Sequence, residues 1–276
     1  MIDYVEDNNN QNKLPIIQPT SNKGFTVFVN ILAIALLVSG GYGIKYIFDR
    51  QQDIKEAEEK RQELLLSNQR QAIKIEEQKN ASKELEKTNP YRDFVKLKEK
   101  NADIVAWLYV PGTKIDMPIV QADDNTYYLT HDVDREYNSM GWAFADAKNT
   151  FPDLSTNTIM YGHTYKRTAI FSNLKNVLDK KWLNDKSKHV ITFDTAKERL
   201  TFKVFSVYTT NVTNDYLKIN FENAPKYKRY LDREKERSIK DFKVNVASTD
   251  KIITLSTCYV SDSERLILHA KLIGSE

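Results

Sequence analysis

The segment Lys251–Lys271 reads KIITLSTCYVSDSERLILHAK and contains Cys258, the single cysteine of a chain of 276 residues. Apolar and polar residues alternate on both sides of the short connection YVSDSE. This alternation predicts two neighbouring β-strands, with Cys258 near the end of the first and Arg265 at the start of the second. Leu255 and Leu266 mark the faces that pack into a core, so the thiol and the guanidinium are predicted to lie close together on the opposite faces.

A thiol nucleophile needs a general base or an imidazolium as its partner. His163, in the segment NTIMYGHTY at 157–165, follows a short predicted strand and a glycine, which is a usual place for a catalytic group. Arg265 stays protonated and can donate two aligned hydrogen bonds to a developing oxyanion. Cys258, His163 and Arg265 are therefore the candidate catalytic residues, although an isolated cysteine is more often an inert small hydrophobe.

Composition limits the class of protein and its chemistry. Hydrophobic residues make up 41% and charged residues 29%, and the net charge of +3 is too balanced to indicate a nucleic-acid partner. One cysteine excludes an internal disulfide and a multi-cysteine zinc site, and the four histidines lack metal-binding spacing. We therefore expect no metal and no cofactor, with His131 as the reserve candidate base and with His189 and His269 as structural or exposed residues.

The N-terminal region predicts a membrane anchor. Residues 1–24 are polar and rich in asparagine, which predicts a disordered tail. Residues 25–48, FTVFVNILAIALLVSGGYGIKYIF, contain no acidic residue and exceed the about 20 residues that cross a bilayer as a helix. A cleaved signal peptide is the alternative, but Lys45 and Tyr46 at the end of this run are typical of interfacial anchors.

Residues 49–88 are charged, lack glycine and proline, and favour a helix. Ile54, Ala57 and Leu64 fit one coiled-coil register, but polar residues interrupt it, among them Arg61. We predict a solvated helical stalk, with a dimeric coiled coil as the alternative.

Residues 89–276 form the predicted globular domain. Asn89 and Pro90 mark the start of a helix, and many short strand patterns follow, separated by turn signals. A further helix pattern at 224–239 precedes the strand that contains Cys258. Many short strands with few helices predict a mainly β fold, a closed β-barrel with peripheral helices.

Several motifs resemble the sortase family of cysteine transpeptidases from Gram-positive bacteria. TLSTC at 254–258 matches every fixed position of the family motif TLxTC, and the chain order of histidine, cysteine and arginine also matches. The segment IVAWLYVPGTKIDMPIVQADDNTYYLTHD at 104–132 and the helix pattern at 224–239 resemble class B members. The resemblance covers the chain from about Pro90 onward and implies a sortase-type barrel.

The resemblance also implies an activity: cleavage of a C-terminal sorting signal, LPxTG-like or NPxTN-like, after its threonine. Cys258 would attack the threonine carbonyl, Arg265 would hold the substrate and the oxyanion, and His163 would carry the proton. The implied partners are signal-bearing surface proteins and an amine of a cell-wall precursor, of peptidoglycan or of a pilin. Ordinary pKa values of about 8.5 for cysteine and about 6.5 for histidine make the thiolate–imidazolium pair a minor species at neutral pH, so a low turnover is expected.

Positions close to the proposed nucleophile and base are candidate substrate-binding residues. They are Ser256, Tyr161, Thr257 and Thr130. For Ser256 and Tyr161 a purely structural role is an equal alternative. Thr130 and the segment FADAKN at 144–149 depart from the residues common in class B, which affects the expected substrate preference more than the chemistry.

The expected orientation in the membrane rests on the resemblance alone. Lys13 and Lys23 precede the predicted anchor, whereas more basic residues follow it, so the positive-inside rule places the globular domain in the cytoplasm. The family implies the reverse, a single-pass protein with a cytoplasmic N-terminus and an extracytoplasmic catalytic domain. A membrane-anchored cysteine hydrolase and a non-enzymatic surface binding protein are the alternative functions.

Overall fold

The structure of the protein is a computed structural model in which the chain divides into two compact units, Met1–Asp49 and Arg50–Glu276. It describes residues 3–4, 15–16, 23–79, 91–164, 170–211, 213, 215–259 and 261–276. Their side chains are described at 42–71, 91–164, 170–211, 213, 215–257 and 264–276.

In the N-terminal unit, only part of the predicted tail and anchor belongs to the described residues. Strands β1 (Asp3–Tyr4) and β2 (Pro15–Ile16) pair in antiparallel fashion within the predicted disordered tail, and helix α1 (Lys23–Lys79) begins at the last two residues of that tail. The rest of residues 1–22, and the side chains of the predicted anchor before Tyr42, lie outside the described residues. In the part of the chain that the structure describes, no helix combines the length and the apolar character that crossing a membrane requires.

Eight strands of the second unit close into a barrel. They are β3 (Ile104–Tyr109), β4 (Asp116–Val120), β5 (Phe144–Ala145), β6 (Asn157–Gly162), β7 (Val190–Thr195), β8 (Arg199–Asn211), β9 (Ile252–Tyr259) and β10 (Ser261–Ser275). Their order around the barrel is β10-β8-β7-β3-β4-β5-β6-β9, and β9 pairs with β10 to close it. Only β4–β5 and β6–β9 are parallel among these pairs. The closed, mainly β barrel that the sequence predicts is thus confirmed.

Strand β9 is buried on both of its faces. Ile253 and Leu255 point into the main core, as their alternation predicts. Ile252, on the other face, belongs to a second apolar cluster outside the barrel, and Thr254 and Ser256 are buried as well. The outer face of this strand is therefore covered by another layer of the domain.

Helix α4 (Ala224–Glu236) provides much of that layer. The side chain of Asn223 accepts a hydrogen bond from the backbone N–H of Lys226 at 3.0 Å, and a proline lies in the first turn, so the helix begins where the sequence has a start signal. Tyr227 and Leu231 then pack against Ile252. The other helices are α2 (Phe94–Lys100) and α3 (Lys180–Asn184), and single 3-10 segments span Tyr127–Leu129, Ser172–Leu178 and Lys186–His189.

The part of α1 in the second unit packs against the domain along one face. The buried residues recur at helical spacing and are Ile54, Ala57, Arg61, Leu64 and Asn68. Arg61 is buried because its guanidinium donates to the backbone carbonyl of Lys114 at 3.2 Å and to the carboxylate of Glu58 at 2.7 Å. The sequence predicts a solvated stalk here, and the structure differs because the stripe Ile54–Ala57–Leu64 contacts the domain instead of water.

Candidate active site

Three neighbouring strands bring the predicted catalytic residues together. In the antiparallel pair of β9 and β10, Cys258 lies directly opposite Arg265. In the parallel pair of β6 and β9, Tyr161 lies opposite Ser256 and Gly162 lies opposite Thr257.

A predicted catalytic residue follows each member of the second of these pairs: His163 follows Gly162, and Cys258 follows Thr257. Adjacent strands lie about 4.8 Å apart, so the backbone of Cys258 has His163 on one side and Arg265 on the other. The side chain of Cys258 is outside the described part of the chain, and its position is known here from the strand register.

The position of His163 is fixed by a carbonyl group. Its Nε2 lies 3.1 Å from the backbone oxygen of Leu129, and a carbonyl oxygen can only accept a hydrogen bond. Nε2 therefore carries a proton, and Nδ1 is the nitrogen that gains or loses a proton in acid–base chemistry. The ring is partly exposed, as a group that acts on a substrate must be.

Arg265 is half-buried at the start of the described side chains of β10. Its Nη1 donates to the backbone carbonyl of Glu264 at 3.2 Å. On its other side the strand register places Thr210 of β8. Arg265 thus lies at one end of the barrel, on the strand next to the position of Cys258.

Tyr161 is tied to an acidic residue that sequence reasoning did not single out. Its hydroxyl donates to Oδ2 of Asp146 at 2.8 Å, and Nδ2 of Asn125 donates to the same oxygen at 3.0 Å. Burial, and then the hydrogen bond to Asp146, raise the pKa of Tyr161 well above its ordinary value, so the phenol stays neutral. Asp146 lies within the segment FADAKN, and no periodicity or spacing in that segment indicates this contact.

Ser256 also has a partner that was missed. The hydroxyl groups of Ser256 and Tyr216 lie 3.1 Å apart, and both residues are buried. Tyr216 lies in the long connection between β8 and β9, where sequence patterns are weakest. The hydroxyl of Thr257 donates to the carbonyl of Gly162 at 2.6 Å and joins β9 to β6 just before the two strand ends.

Thr130 and His131 lie in the segment that follows Leu129. Thr130 is exposed and its hydroxyl is 3.3 Å from Nδ1 of His131. The ring of His131 stacks on Tyr127 at 4.1 Å between centroids, and its Nδ1 lies 2.9 Å from the carbonyl of Tyr127. These contacts assign His131 a structural position beside the site.

The other two histidines are buried away from the strand ends. Nε2 of His189 lies 3.2 Å from the carbonyl of Trp182, and burial lowers the pKa of His189. His269 pairs with Thr254 in the register of β9 and β10, four positions along the strands from the pair of Cys258 and Arg265. At about 3.3 Å per residue it is about 13 Å from either of them.

A buried polar network surrounds His269. The hydroxyl of Thr254 donates to Oδ1 of Asn157 at 2.7 Å, so Nδ1 of His269, at 2.8 Å from that hydroxyl, is the donor in their hydrogen bond. On the other side of the ring lie the carboxylate of Glu234 from α4, 3.6 Å from Nε2, and the hydroxyl of Tyr208, at 3.3 Å. This network joins β6, β8, β9, β10 and α4 below the three strand ends.

Comparison with known proteins finds relatives in one family. The model of the sortase domain matches residues 108–273. Sortase B of Staphylococcus aureus is 33% identical over 258 residues, which cover 91% of this chain and 98% of that protein. Sortase B of Listeria monocytogenes is 35% identical over 185 residues, or 66% of this chain and 73% of that one. The solved complex of Staphylococcus aureus sortase B with a substrate has a TM-score of 0.69 at 31% identity, covering 79% of this chain and 97% of that chain.

The fold and these likenesses define an enzyme, a cysteine transpeptidase. The chain belongs to the sortase family, and its relatives place it in class B.

Proposed function

We propose that this sortase cleaves a C-terminal sorting signal, LPxTG-like or NPxTN-like, after its threonine and transfers the protein to a cell-wall or pilin amine. The observation that carries the proposal is the strand register, in which Cys258 lies opposite Arg265 and next to the strand end that bears His163. A thiol, an imidazole and a guanidinium at adjacent positions suit acyl transfer through a covalent intermediate.

The proposed reaction has two steps. The thiolate of Cys258 attacks the threonine carbonyl, Arg265 binds the developing oxyanion, and the C–N bond breaks as His163 gives a proton to the leaving amine. A thioacyl-enzyme remains. The incoming amine then attacks the same carbonyl and passes a proton to His163, and the C–S bond breaks to restore the thiolate and leave a new amide.

The tautomer of His163 supports its role. Because the carbonyl of Leu129 keeps a proton on Nε2, proton transfer is assigned to Nδ1 in both steps. Tyr161, Ser256, Thr257 and Thr130 are proposed to line the path of the substrate, and the ties of Tyr161 to Asp146 and of Ser256 to Tyr216 would hold two of them in place.

The proposed location is the cell membrane, with one span at residues 25–48, a cytoplasmic N-terminus and an extracytoplasmic catalytic domain. The apolar length of this segment supports a span, although the charge count favours the opposite orientation. An exported substrate has to meet the enzyme outside the cytoplasm, which supports the orientation proposed here.

The test is to incubate the purified full chain with a panel of sorting-signal peptides and an amine acceptor, and to identify the products by mass spectrometry. We expect a peptide–acceptor amide with the wild type and none with Cys258→Ala. Free acid alone, even at high acceptor concentration, would instead identify a hydrolase. No Cys258-dependent product from any peptide would refute the proposed activity for those signals.

Two histidine variants test the assignment of the base. His163→Gln is expected to lower the rate at least about 100-fold, since general acid–base catalysis contributes that much or more. His131→Gln is the matched control, because His131 lies in the neighbouring segment and is held by Tyr127. Equal losses in the two variants would contradict the assignment to His163.

A further inference from the structure

The segment Thr130–Met140, which we name the 130–140 segment, follows directly on the residue that binds His163. It folds back on itself, because the backbone N–H of Asn138 donates to the carbonyl of Thr130 at 2.9 Å and His131 forms an isolated bridge with Tyr137. Its first residue adjoins Leu129, whose carbonyl accepts from His163.

Lys60 of α1 binds three carboxylates of this segment. Its Nζ lies 2.5 Å from Oδ2 of Asp132, 2.8 Å from Oε2 of Glu136 and 3.3 Å from Oδ2 of Asp134. Burial lowers the pKa of Lys60, but the hydrogen bonds to Asp132 and Glu136 raise it by more, so the ammonium stays charged. The positive charge of Lys60 thus reduces the repulsion among three acidic groups.

A second set of contacts lies two turns earlier on the same helix. The carboxylate of Asp53 accepts a hydrogen bond from the hydroxyl of Ser139 at 2.6 Å, and its backbone carbonyl accepts from Nδ2 of Asn138 at 3.0 Å. Ile54 packs against Met140 in a small apolar cluster. The helix therefore holds the 130–140 segment at its acidic turn and at its end.

The residues that flank the 130–140 segment also contact one another on the side of the barrel. The backbone N–H of Trp142 donates to the carbonyl of Tyr128 at 2.9 Å. Gly141 has a φ of +61°, and a Cβ there would lie 2.2 Å from the same carbonyl. Trp142 thus holds Tyr128 from the barrel side, and Leu129 lies between this contact and the 130–140 segment.

From these contacts we propose that Lys60 is a positioning residue: it fixes the 130–140 segment so that the Leu129 carbonyl sets the orientation and the tautomer of His163. The proposal rests on the role of His163 in the proposed function. It assigns to α1, which the sequence presents as a spacer, a direct influence on the chemistry.

A purely stabilising role predicts a different outcome from a positioning role. Loss of stability changes the fraction of folded enzyme, whereas mispositioning changes the rate of the folded enzyme. Displacement of a catalytic group by about 1 Å can lower a rate by about 100-fold. The two roles are separated by measuring kcat, KM and the tautomer of His163 in samples shown to be folded.

The test compares Lys60→Met with Lys60→Arg and Lys55→Met in the full chain purified in detergent. Lys55 is the matched control because it lies on the same helix in an exposed ion pair with Glu59, at 3.6 Å. We expect Lys60→Met to lower kcat about tenfold with KM within about twofold, Lys60→Arg to recover most of the rate, and Lys55→Met to match the wild type.

A second measurement does not depend on turnover. Long-range proton–nitrogen NMR of the imidazole, in a Cys258→Ala background, reports which nitrogen carries the proton. We expect the Nε2–H form in the parent and a mixture of tautomers after Lys60→Met. If Lys60→Met changes the tautomer of His163 but no peptide is a substrate, the proposed function fails while the positioning role stands.

Other outcomes would overturn the positioning role. They are an unchanged kcat per folded molecule in Lys60→Met, an equal loss in Lys55→Met, or an unchanged His163 tautomer. If Lys60→Met does not fold, Glu136→Gln replaces it, because Glu136 is exposed and its loss removes one of the three carboxylates. A fall in kcat with the same tautomer change would support the proposal, and wild-type behaviour in both measurements would refute it.

Discussion

Helices α1 and α4 both pack on the outside of the barrel domain, and each is attached by a charged side chain at a different depth. Lys60 of α1 is 19% exposed and faces one buried carboxylate, that of Asp132, and two that reach the domain surface, those of Asp134 and Glu136. Glu234 of α4 is 0% exposed and is bound by Tyr208, Arg233, Arg237 and His269. A buried charge that loses a partner cannot turn to water, whereas a charge near the surface can.

The two attachments also act on different parts of the site. The network of Glu234 lies under β9 and β10, four positions along the strands from Cys258 and Arg265, and joins the strands that carry them. Lys60 acts on the segment next to Leu129 and His163. Substitution of Glu234 on α4 should therefore mainly lower the stability of the fold. Substitution of Lys60 on α1 should mainly lower the rate of the reaction.

The largest expected effect is that of Glu234→Gln. The amide would leave Arg233 and Arg237 with Asp215 as their carboxylate partner and would turn a donor toward one of them. Removing one member of a buried ion pair costs about 3–5 kcal/mol of unfolding free energy. Urea unfolding measures the loss, and Glu236→Gln is the matched control, because Glu236 is exposed on the same helix.

A loss below about 1 kcal/mol in Glu234→Gln, or a similar loss in Glu236→Gln, would contradict the contrast between a buried and a surface attachment.

The second largest expected effect is that the protonation of Glu234 makes the unfolding free energy fall at acidic pH. Burial alone would raise the pKa of Glu234, but His269, Tyr208 and Arg233 lower it to about 2, from an ordinary value of 4.5. A depressed pKa in the folded state stabilises the fold above pH 4.5, and this stability is lost as the pH falls through about 2.

Between pH 4.5 and pH 3 the wild type should therefore lose about 2 kcal/mol more than Glu234→Gln. The measurement is urea unfolding at the two pH values for both proteins. Parallel loss in the two proteins would mean that Glu234 is not the group responsible.

Local patterns explain what was predictable from the sequence. The hairpin of β9 and β10 follows from a period of two within one segment, so its strands and the approach of Arg265 to Cys258 were accessible. The neighbourhood of His163 and Cys258 depends on the parallel pairing of β6 with β9, which joins positions 95 residues apart, such as Gly162 and Thr257. No local pattern encodes that pairing, and only the family resemblance indicated it.

Buried polar residues explain what was not predictable. Arg61 and Asn68 look like interruptions of an apolar stripe on α1, yet both are buried on the same face as Leu64. In the same way, Glu234 stands in the charged run DREKE and looks solvated, but its partner His269 lies on a distant strand. A charge pattern cannot tell a buried ion pair from a surface one, because the partner is supplied by the tertiary fold.

The smallest expected effect is the dependence on salt of the unfolding free energy that Lys60→Met loses. Oδ1 of the buried Asp132 keeps hydrogen bonds from the backbone N–H groups of Asp134 and Glu136, at 2.9 and 3.1 Å, so part of this carboxylate stays compensated when the lysine is removed. We therefore expect a loss of about 1 kcal/mol at low salt that becomes smaller at about 0.5 M salt, because the ion pairs of Lys60 with Asp134 and Glu136 reach the surface, where charges are screened over a few ångströms.

Urea unfolding at both salt concentrations measures this difference, with Lys55→Met close to the wild type throughout. The penalty of Glu234→Gln should stay nearly constant over the same range, since buried pairs are screened much less. If the losses of unfolding free energy in Lys60→Met and Glu234→Gln depended equally on salt, the distinction between a surface and a buried charge would be contradicted. In that case electrostatics would not explain why α4 stabilises the fold while α1 positions His163. The difference between the two helices would then depend on the apolar contacts of Leu231 on α4 and Ile54 on α1.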